Sequence, residues 1–131
     1  SPQFPTILEE LTGRLEAEPV ELRHKTACCG GPIFMPREDA ADDIAFAILA
    51  EAKEAGAEVI VTVCPLCHLM LDAKQRALED KKGQKIGIPV LYVTQLVGIA
   101  LGLGSEELGL EMNSVSPMSM VERAYEKMAK E

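Results

Sequence analysis

The sequence contains no tryptophan and few other aromatic residues, namely three phenylalanines and two tyrosines. A hydrophobic core must therefore be built from alanine, valine, isoleucine, leucine and methionine. The 131 residues are enough to bury such a core as one domain without disulfide bonds. Basic residues are also in the minority, and the net charge of -8 argues against a nucleic-acid-binding surface.

The sequence also lacks an apolar run long enough to form a transmembrane helix. The longest apolar stretch, over residues 91–103, is interrupted by polar residues and glycines. No signal peptide is recognisable. We therefore predict a cytoplasmic protein without direct membrane insertion.

Cysteine is scarce as well, since the chain has only four, and they lie in two tight clusters. Cys28 and Cys29 are adjacent and precede two glycines, whereas Cys64 and Cys67 belong to the segment Cys-Pro-Leu-Cys-His. Their number and spacing indicate a metal or redox site in a reducing compartment rather than an extracellular disulfide framework. We expect the four thiols to converge on one metal centre.

Hydrophobic periodicity predicts an alternation of helices and strands along the chain. The predicted elements are a helix over 1–16, a strand over 19–22, a helix over 38–55, a strand over 59–63, a helix over 65–81, a strand over 88–93, a helix over 95–101 and a helix over 121–131. This order indicates a single α/β domain, with a mostly parallel sheet flanked by helices in Rossmann-like layers. Because both cysteine clusters follow predicted strands, we expect them at the same edge of the sheet.

Two finer predictions concern individual helices. In the helix over 38–55, the expected buried stripe consists of Ile44, Ile48 and Leu49, and Ala45, Ala52 and Ala55 are expected to permit close packing. In the helix over 95–101, Thr94 is the expected N-terminal cap.

The spacing of Cys64 and Cys67 places both sulfurs on one face at the start of a predicted helix, where they can share a metal. Unpaired N–H groups at a helix start also stabilise thiolates. The residue types leave three possibilities open: an iron–sulfur cluster, a structural four-thiolate zinc site that mediates subunit contacts, and a metal-free dithiol oxidoreductase. Adjacent cysteines are unusual in structural zinc sites, and the dithiol leaves Cys28 and Cys29 unexplained. His68 is either a ligand, a proton source, a hydrogen-bond donor to a ligand or a plain surface histidine.

The strings Lys25–Gly31 and Val61–Asp72 together resemble the cysteine-rich CCG domain, in particular the C-terminal domain of the B-type subunit in the CoB–CoM heterodisulfide reductase family. Residues 88–96 and 101–103 are similar to the same domain, so the resemblance covers nearly the whole chain. It implies that residues 1–131 are a C-terminal CCG domain from a longer protein with two such domains.

The resemblance further implies an unusual 4Fe–4S cluster with Cys28, Cys29, Cys64 and Cys67 as ligands. In that family the cluster serves electron transfer from partner subunits to a small-molecule disulfide. The family pattern has one more cysteine upstream, whereas no cysteine precedes Cys28 here. We therefore expect that ligand and a first strand of the sheet to lie upstream. For these residues alone, we expect no enzymatic activity, a site that is apo, disulfide-oxidised or zinc-loaded, and an open sheet edge able to form a homodimer.

Overall fold

The structure is a computed structural model that describes residues 30–129. The predicted helix over 1–16, the predicted strand over 19–22 and the cysteine pair Cys28-Cys29 lie outside the described residues.

The described chain is rich in helix and contains one small sheet. Its elements are a 3₁₀ turn (Gly31–Ile33), α1 (Glu38–Glu54), β1 (Ile60–Thr62), α2 (Pro65–His68), a π-helix (Leu69–Ala73), α3 (Gln75–Lys82), β2 (Val90–Tyr92), α4 (Val93–Ala100), a second 3₁₀ turn (Leu110–Met112) and α5 (Met118–Ala129). The predicted helix over 65–81 is thus a helical run that a π-helix interrupts. Within residues 30–129, no helix has both the length and the apolar character needed to cross a membrane.

The sheet pairs β1 with β2 in parallel, as predicted, and Ile60, Val61 and Thr62 lie opposite Val90, Leu91 and Tyr92. Over the described residues the sheet has these two strands. Successive side chains of a strand face opposite sides of a sheet, so Val90 and Leu91 enter different cores. The sequence of helix, strand, helix and strand therefore produces a sheet that is packed on both faces.

Each face of the sheet has its own apolar cluster. The first cluster joins α1 to the helical run and β2, and its buried members are Ala41, Ala45, Leu49, Ala52, Ile60, Met70, Leu71, Leu78, Ile86, Ile88 and Val90. The second cluster joins β2 to α4 and α5 through Leu91, Ile99, Leu110 and Val121. The helical run that carries Cys64 and Cys67 at its start is consequently anchored in the first core.

The buried stripe of α1 differs in part from the predicted one. Leu49 is buried, as predicted, and Ile48 packs against the core, but Ile44 remains 37% exposed. Ala41, Ala45 and Ala52 are fully buried, as expected for Ala45 and Ala52, whereas Ala55 is exposed. At Ala41 the small side chain lets the backbone of Gly30 approach the helix closely, since a Cβ on Gly30 would lie 2.9 Å from Ala41 Cα.

The start of α4 also differs from the prediction. The helix begins at Val93, so Thr94 is not its cap, and the side-chain carbonyl of Gln95 accepts the N–H of Tyr92 at 3.0 Å. The amide group of Gln95 donates to the carbonyl of Leu108 at 3.1 Å. A glutamine on the first turn therefore satisfies a donor at the helix start and ties α4 to the following loop.

A buried carboxylate links α1 to the end of the helical run. Asp42 is 4% exposed, and its two oxygens receive Lys74 Nζ at 2.5 Å and Lys81 Nζ at 3.2 Å. Lys74 also lies over the ring of Phe34, 3.9 Å from the centroid. Burial by itself raises the pKa of Asp42, but the hydrogen bonds and charges of Lys74 and Lys81 outweigh burial and hold this pKa below its ordinary value of 3.8.

We expect Asp42→Asn to lower the free energy of unfolding at neutral pH by about 2 kcal/mol, because two lysines lose their buried partner. The lowered pKa means that Asp42 stabilises the fold above its ordinary value of 3.8, and that this contribution is lost as the pH falls through the folded-state value. Urea unfolding of both proteins between neutral and acidic pH measures the difference, which should shrink in acid.

The matched control is Asp43→Asn, which removes a mostly exposed carboxylate from its pair with Lys82. Its effect should stay below about 1 kcal/mol, as for other surface ion pairs. Equal effects of the two substitutions at neutral pH would contradict the assignment of the buried network.

Candidate functional site

Cys64 lies where β1 passes into the helical run. Its backbone is extended, with φ -97° and ψ 128°, and Pro65 is the first residue of α2. Proline suits that position because its fixed φ is helical and no N–H partner is required there. The N–H of Cys64 donates to Thr62 Oγ1 at 3.3 Å. The turn therefore holds Cys64 at the carboxyl end of β1, as the sequence predicted for this cluster.

The thiol of Cys64 lies against the N–H groups at the start of α2. Hydrogen bonds from the N–H of Cys67 and then from that of Leu66 lower the pKa of Cys64 from its ordinary value of 9.0. Burial opposes this shift, and the thiol of Cys67 adds to it. Neither cysteine forms a disulfide bond, and both side chains are half-buried. The site therefore favours thiolate, the form of cysteine that binds metals and attacks disulfides.

The donor set matches part of a thiolate metal centre. Two cysteines separated by two residues at a helix start are a recurrent arrangement of thiolate ligands. Within the part of the chain that the structure describes, no three His, Cys, Asp or Glu side chains converge on a potential metal position. A complete centre therefore needs donors beyond Cys64 and Cys67. The predicted donors Cys28 and Cys29 lie outside the described residues, and their convergence with the other pair stays a prediction.

Gly30, the residue directly after Cys29, is tightly confined. Its φ of +86° lies in the left-handed region, and a Cβ on this residue would lie 2.9 Å from Ala41 Cα. The 3₁₀ turn that follows, Gly31–Ile33, contacts α2. Only glycine satisfies both the backbone conformation and the close approach to α1. The segment that leaves the first cysteine cluster is therefore held beside the helix that carries the second.

His68 is anchored on β2. Its Nε2 atom lies 3.0 Å from the carbonyl oxygen of Val90, and its ring stacks on that of Tyr92 with centroids 4.4 Å apart and planes within 5°. His68 is therefore not a freely solvated side chain on the helix surface. The ring is half-buried and connects the residue after Cys67 to the neighbouring strand.

Two polar residues near the site were missed in the sequence. Asp72, only 2% exposed, accepts the N–H groups of Ser114 at 2.8 Å and Val115 at 2.9 Å. Asn113 donates its amide to the carbonyl of Val90 at 2.7 Å. Asp72 follows the apolar string Leu-Met-Leu, which was a usable signal of a buried acid. Asn113 lies in a stretch without periodicity, so nothing in the sequence distinguished it.

Comparison with known proteins agrees with the resemblance in the sequence. The family description "Cysteine-rich domain", abbreviated CCG, matches residues 1–72. The chain is 36% identical over 126 residues to the B-type subunit of the ferredoxin/F420H2-dependent CoB–CoM heterodisulfide reductase of Methanosarcina acetivorans, which is 95% of this chain and 42% of that protein.

Two further relatives broaden this comparison. The membrane anchor subunit of the 8-methylmenaquinol:fumarate reductase of Wolinella succinogenes is 36% identical over 111 residues, 85% of this chain and 39% of that protein. A protein of Archaeoglobus profundus that is named for its likeness to the B-type subunit of heterodisulfide reductase is 28% identical over 112 residues, 82% of this chain and 36% of that protein. The chain thus spans about two fifths of the length of the curated relatives it matches.

The confined position of Gly30 can be tested by Gly30→Ala. A left-handed alanine costs about 1–2 kcal/mol, and the clash with Ala41 adds to this cost. The free energy of unfolding should fall by more than the backbone term alone, as measured by urea unfolding.

Gly83→Ala is the matched control, because Gly83 has a φ of +67° but no atom within 4 Å of the point where a Cβ would lie. This variant should show the backbone cost without the clash. If Gly30→Ala were no more destabilising than Gly83→Ala, the close approach of Gly30 to α1 would be refuted.

Proposed function

The chain belongs to the family of cysteine-rich CCG domains, and we propose that it is the iron–sulfur domain of a protein like the B-type subunit of heterodisulfide reductase. In this proposal, the domain binds a 4Fe–4S cluster and takes part in electron transfer to a disulfide substrate. Because the chain spans about two fifths of its relatives, the substrate and activity of a complete protein are part of the proposal.

One structural observation carries the proposal. Cys64 and Cys67 lie at a strand-to-helix turn whose N–H groups stabilise a thiolate, and the 3₁₀ turn that begins two residues after Cys29 contacts the same helix. This contact supports the convergence of both cysteine clusters. The proposed cluster ligands in this chain are Cys28, Cys29, Cys64 and Cys67, together with a further cysteine from upstream.

A bound iron–sulfur cluster would supply reversible one-electron transfer. The chain's own contribution is to present thiolates and to limit access of water. Cys64 receives two backbone N–H groups, and hydrogen bonds to ligand sulfurs are among the factors that set the reduction potential of such a site. Three apolar side chains border the cysteines along the chain, Val63, Leu66 and Leu69, which are 60%, 41% and 46% exposed. We propose that they form the apolar border of the substrate position.

The wider setting of the domain is part of the proposal. The relatives are named as reductase subunits, so we propose that this domain works with other subunits of a heterodisulfide reductase-like complex. We propose that the two described strands belong to a larger parallel sheet with Rossmann-like layers, and that the domain is the C-terminal one of two. A cytoplasmic location and dimer formation through an open sheet edge complete the proposal.

A metal-free dithiol is the second candidate function. The observation in its favour is the lowered pKa of Cys64 beside Cys67, because a thiolate next to a second thiol is the reactive unit of dithiol oxidoreductases. In that case Cys64 would attack a substrate disulfide, and Cys67 would displace the reduced substrate by forming a bond to Cys64. The two electrons and the protons of the dithiol would pass to the substrate thiols.

The experiment is iron, sulfide and zinc analysis, with visible and EPR spectra, of the full-length protein purified without oxygen. We expect about four iron and four sulfide per cluster, in keeping with a 4Fe–4S centre. Cys64→Ser and Cys67→Ser should each lose most of this content, because serine replaces a thiolate ligand. Val63→Thr alters an exposed neighbour on the same turn and should retain it.

One zinc per domain without iron would overturn the iron–sulfur assignment. No metal, together with a reversible disulfide between Cys64 and Cys67, would establish the dithiol instead. Full iron content in both serine variants would show that a cluster is present but that these cysteines do not bind it.

A further inference from the structure

His68 and Asn113 meet at one backbone carbonyl of β2. The Val90 oxygen lies 3.0 Å from His68 Nε2 and 2.7 Å from Asn113 Nδ2, and the two nitrogens are 3.5 Å apart. Pro89, one residue earlier, uses its carbonyl to accept the N–H of Ile60 in β1. Because successive carbonyls of a strand point in opposite directions, that of Val90 points away from β1. His68 therefore occupies an acceptor that β1 does not use.

The chemistry of the contact assigns the proton on His68. A backbone carbonyl is an acceptor only, so the hydrogen bond requires Nε2 to carry a hydrogen and donate it to Val90. With its Nε2 engaged in this way, the ring cannot bind a metal through that nitrogen. Stacking on Tyr92 fixes the plane of the ring in addition.

The loop that supplies Asn113 is itself tied to the helical run. Asp72 lies in the π-helix four residues after His68, and its carboxylate accepts the N–H groups of Ser114 and Val115. The run, the loop and β2 thus form a closed circuit of hydrogen bonds. One member of this circuit, His68, is bonded covalently to Cys67.

We propose that His68 is a positioning residue that holds the Cys64–Cys67 turn against β2 through donation of Nε2–H to the Val90 carbonyl, with Asn113 and Asp72 fixing that arrangement. This positioning role rests on the proposed function, because the proposed function makes the thiolates of the turn ligands of the cluster. His68 acts through the orientation of the turn rather than through its charge. Loss of the donor should loosen the turn and alter the geometry of the thiolates at the metal.

Glutamine is the informative substitution, because its Nε2 amide can reach the same carbonyl and donate without an imidazole. We would compare His68→Ala, His68→Gln and Asn113→Ala in the full-length protein purified without oxygen. Gln84→Ala, which truncates an exposed amide, is the control for Asn113→Ala. The readouts are metal and sulfide content, the EPR spectrum with its midpoint potential, and amide hydrogen exchange of residues 64–70.

We expect His68→Ala to accelerate exchange over residues 64–70 by about two- to tenfold, as expected for loss of one hydrogen bond, and to shift the EPR spectrum and the midpoint potential. His68→Gln should return all three readouts toward the wild-type values. Asn113→Ala should shift them in the same direction as His68→Ala but less, and Gln84→Ala should leave them unchanged.

A glutamine variant that matches the alanine variant in every readout would overturn the proposal, because the imidazole itself would then be required. An alanine variant that matches the wild type would overturn it as well. A wild-type protein without iron would refute the proposed cluster but would not by itself refute the positioning role of His68. Hydrogen exchange then still decides the positioning role, since rescue by glutamine supports it and absence of rescue refutes it. If His68→Ala does not fold, Asn113→Ala is read by the same measurements. A shift relative to Gln84→Ala then supports the positioning role, and values equal to those of Gln84→Ala refute it.

Discussion

The direct passage of a parallel strand into a helix at Cys64 is the constraint on which the site depends. The extended backbone of Cys64 and the fixed φ of Pro65 define where the helix begins. The first N–H groups of a helix have no partners within it, and here those of Leu66 and Cys67 turn toward the sulfur of Cys64. Among the described residues, the groups that favour the thiolate of Cys64 are thereby backbone N–H groups and the thiol of Cys67.

Buried polar side chains hold the helical run at several positions that follow this turn in the chain. Gln75 donates to the carbonyls of Leu71 and Ile88 and accepts the N–H of Ile88, which ties the run to the segment before β2. Asp72 holds the loop before α5, and Asp42 joins Lys74 and Lys81 to α1. Within the described residues, every buried side-chain nitrogen and oxygen has a hydrogen-bond partner. The start of the run can therefore be positioned accurately, because its remainder has few alternative arrangements.

One of these polar side chains, Asp72, lies in the π-helix. The π-helix occupies Leu69–Ala73, between the turn with the cysteines and α3. A π-helix accommodates an extra residue in a turn, so the side chains on its two sides are rotated relative to those of a continuous α-helix. In this protein, Asp72 faces the loop at residues 113–115 while Met70 and Leu71 stay in the core. Such turns are frequent at functional sites, and this one directly follows the residues proposed to bind the cofactor.

Patterns of hydrophobicity predicted much of the scaffold. The run Ile60–Thr62 is β-branched throughout, and Gly56 follows a helix with apolar residues at helical spacing, so β1 and α1 were predicted close to their observed bounds. Gly83 marked the end of the helical run correctly, but the π-helix within the run was not predicted. The predictions failed where contacts with other parts of the fold determined which side chain is buried or which side chain caps a helix. Ile44 is as apolar as Leu49, but only contact with the rest of the fold shows which of them is covered. Thr94 is a good cap by type, yet Gln95 reached the relevant N–H group.

The local chemistry of the site follows from the sequence alone: two cysteines lie three positions apart, after a strand and at the start of a helix. These features depend on residues close together in the chain, so residue spacing and backbone preference are sufficient to predict them. The packing of the fold decided the placement of His68, whose partner carbonyl is 22 residues away, and that of Asp72, whose partners are 42 and 43 residues away. A side chain's type does not reveal which distant backbone group will face it, because that depends on how the strands and helices pack.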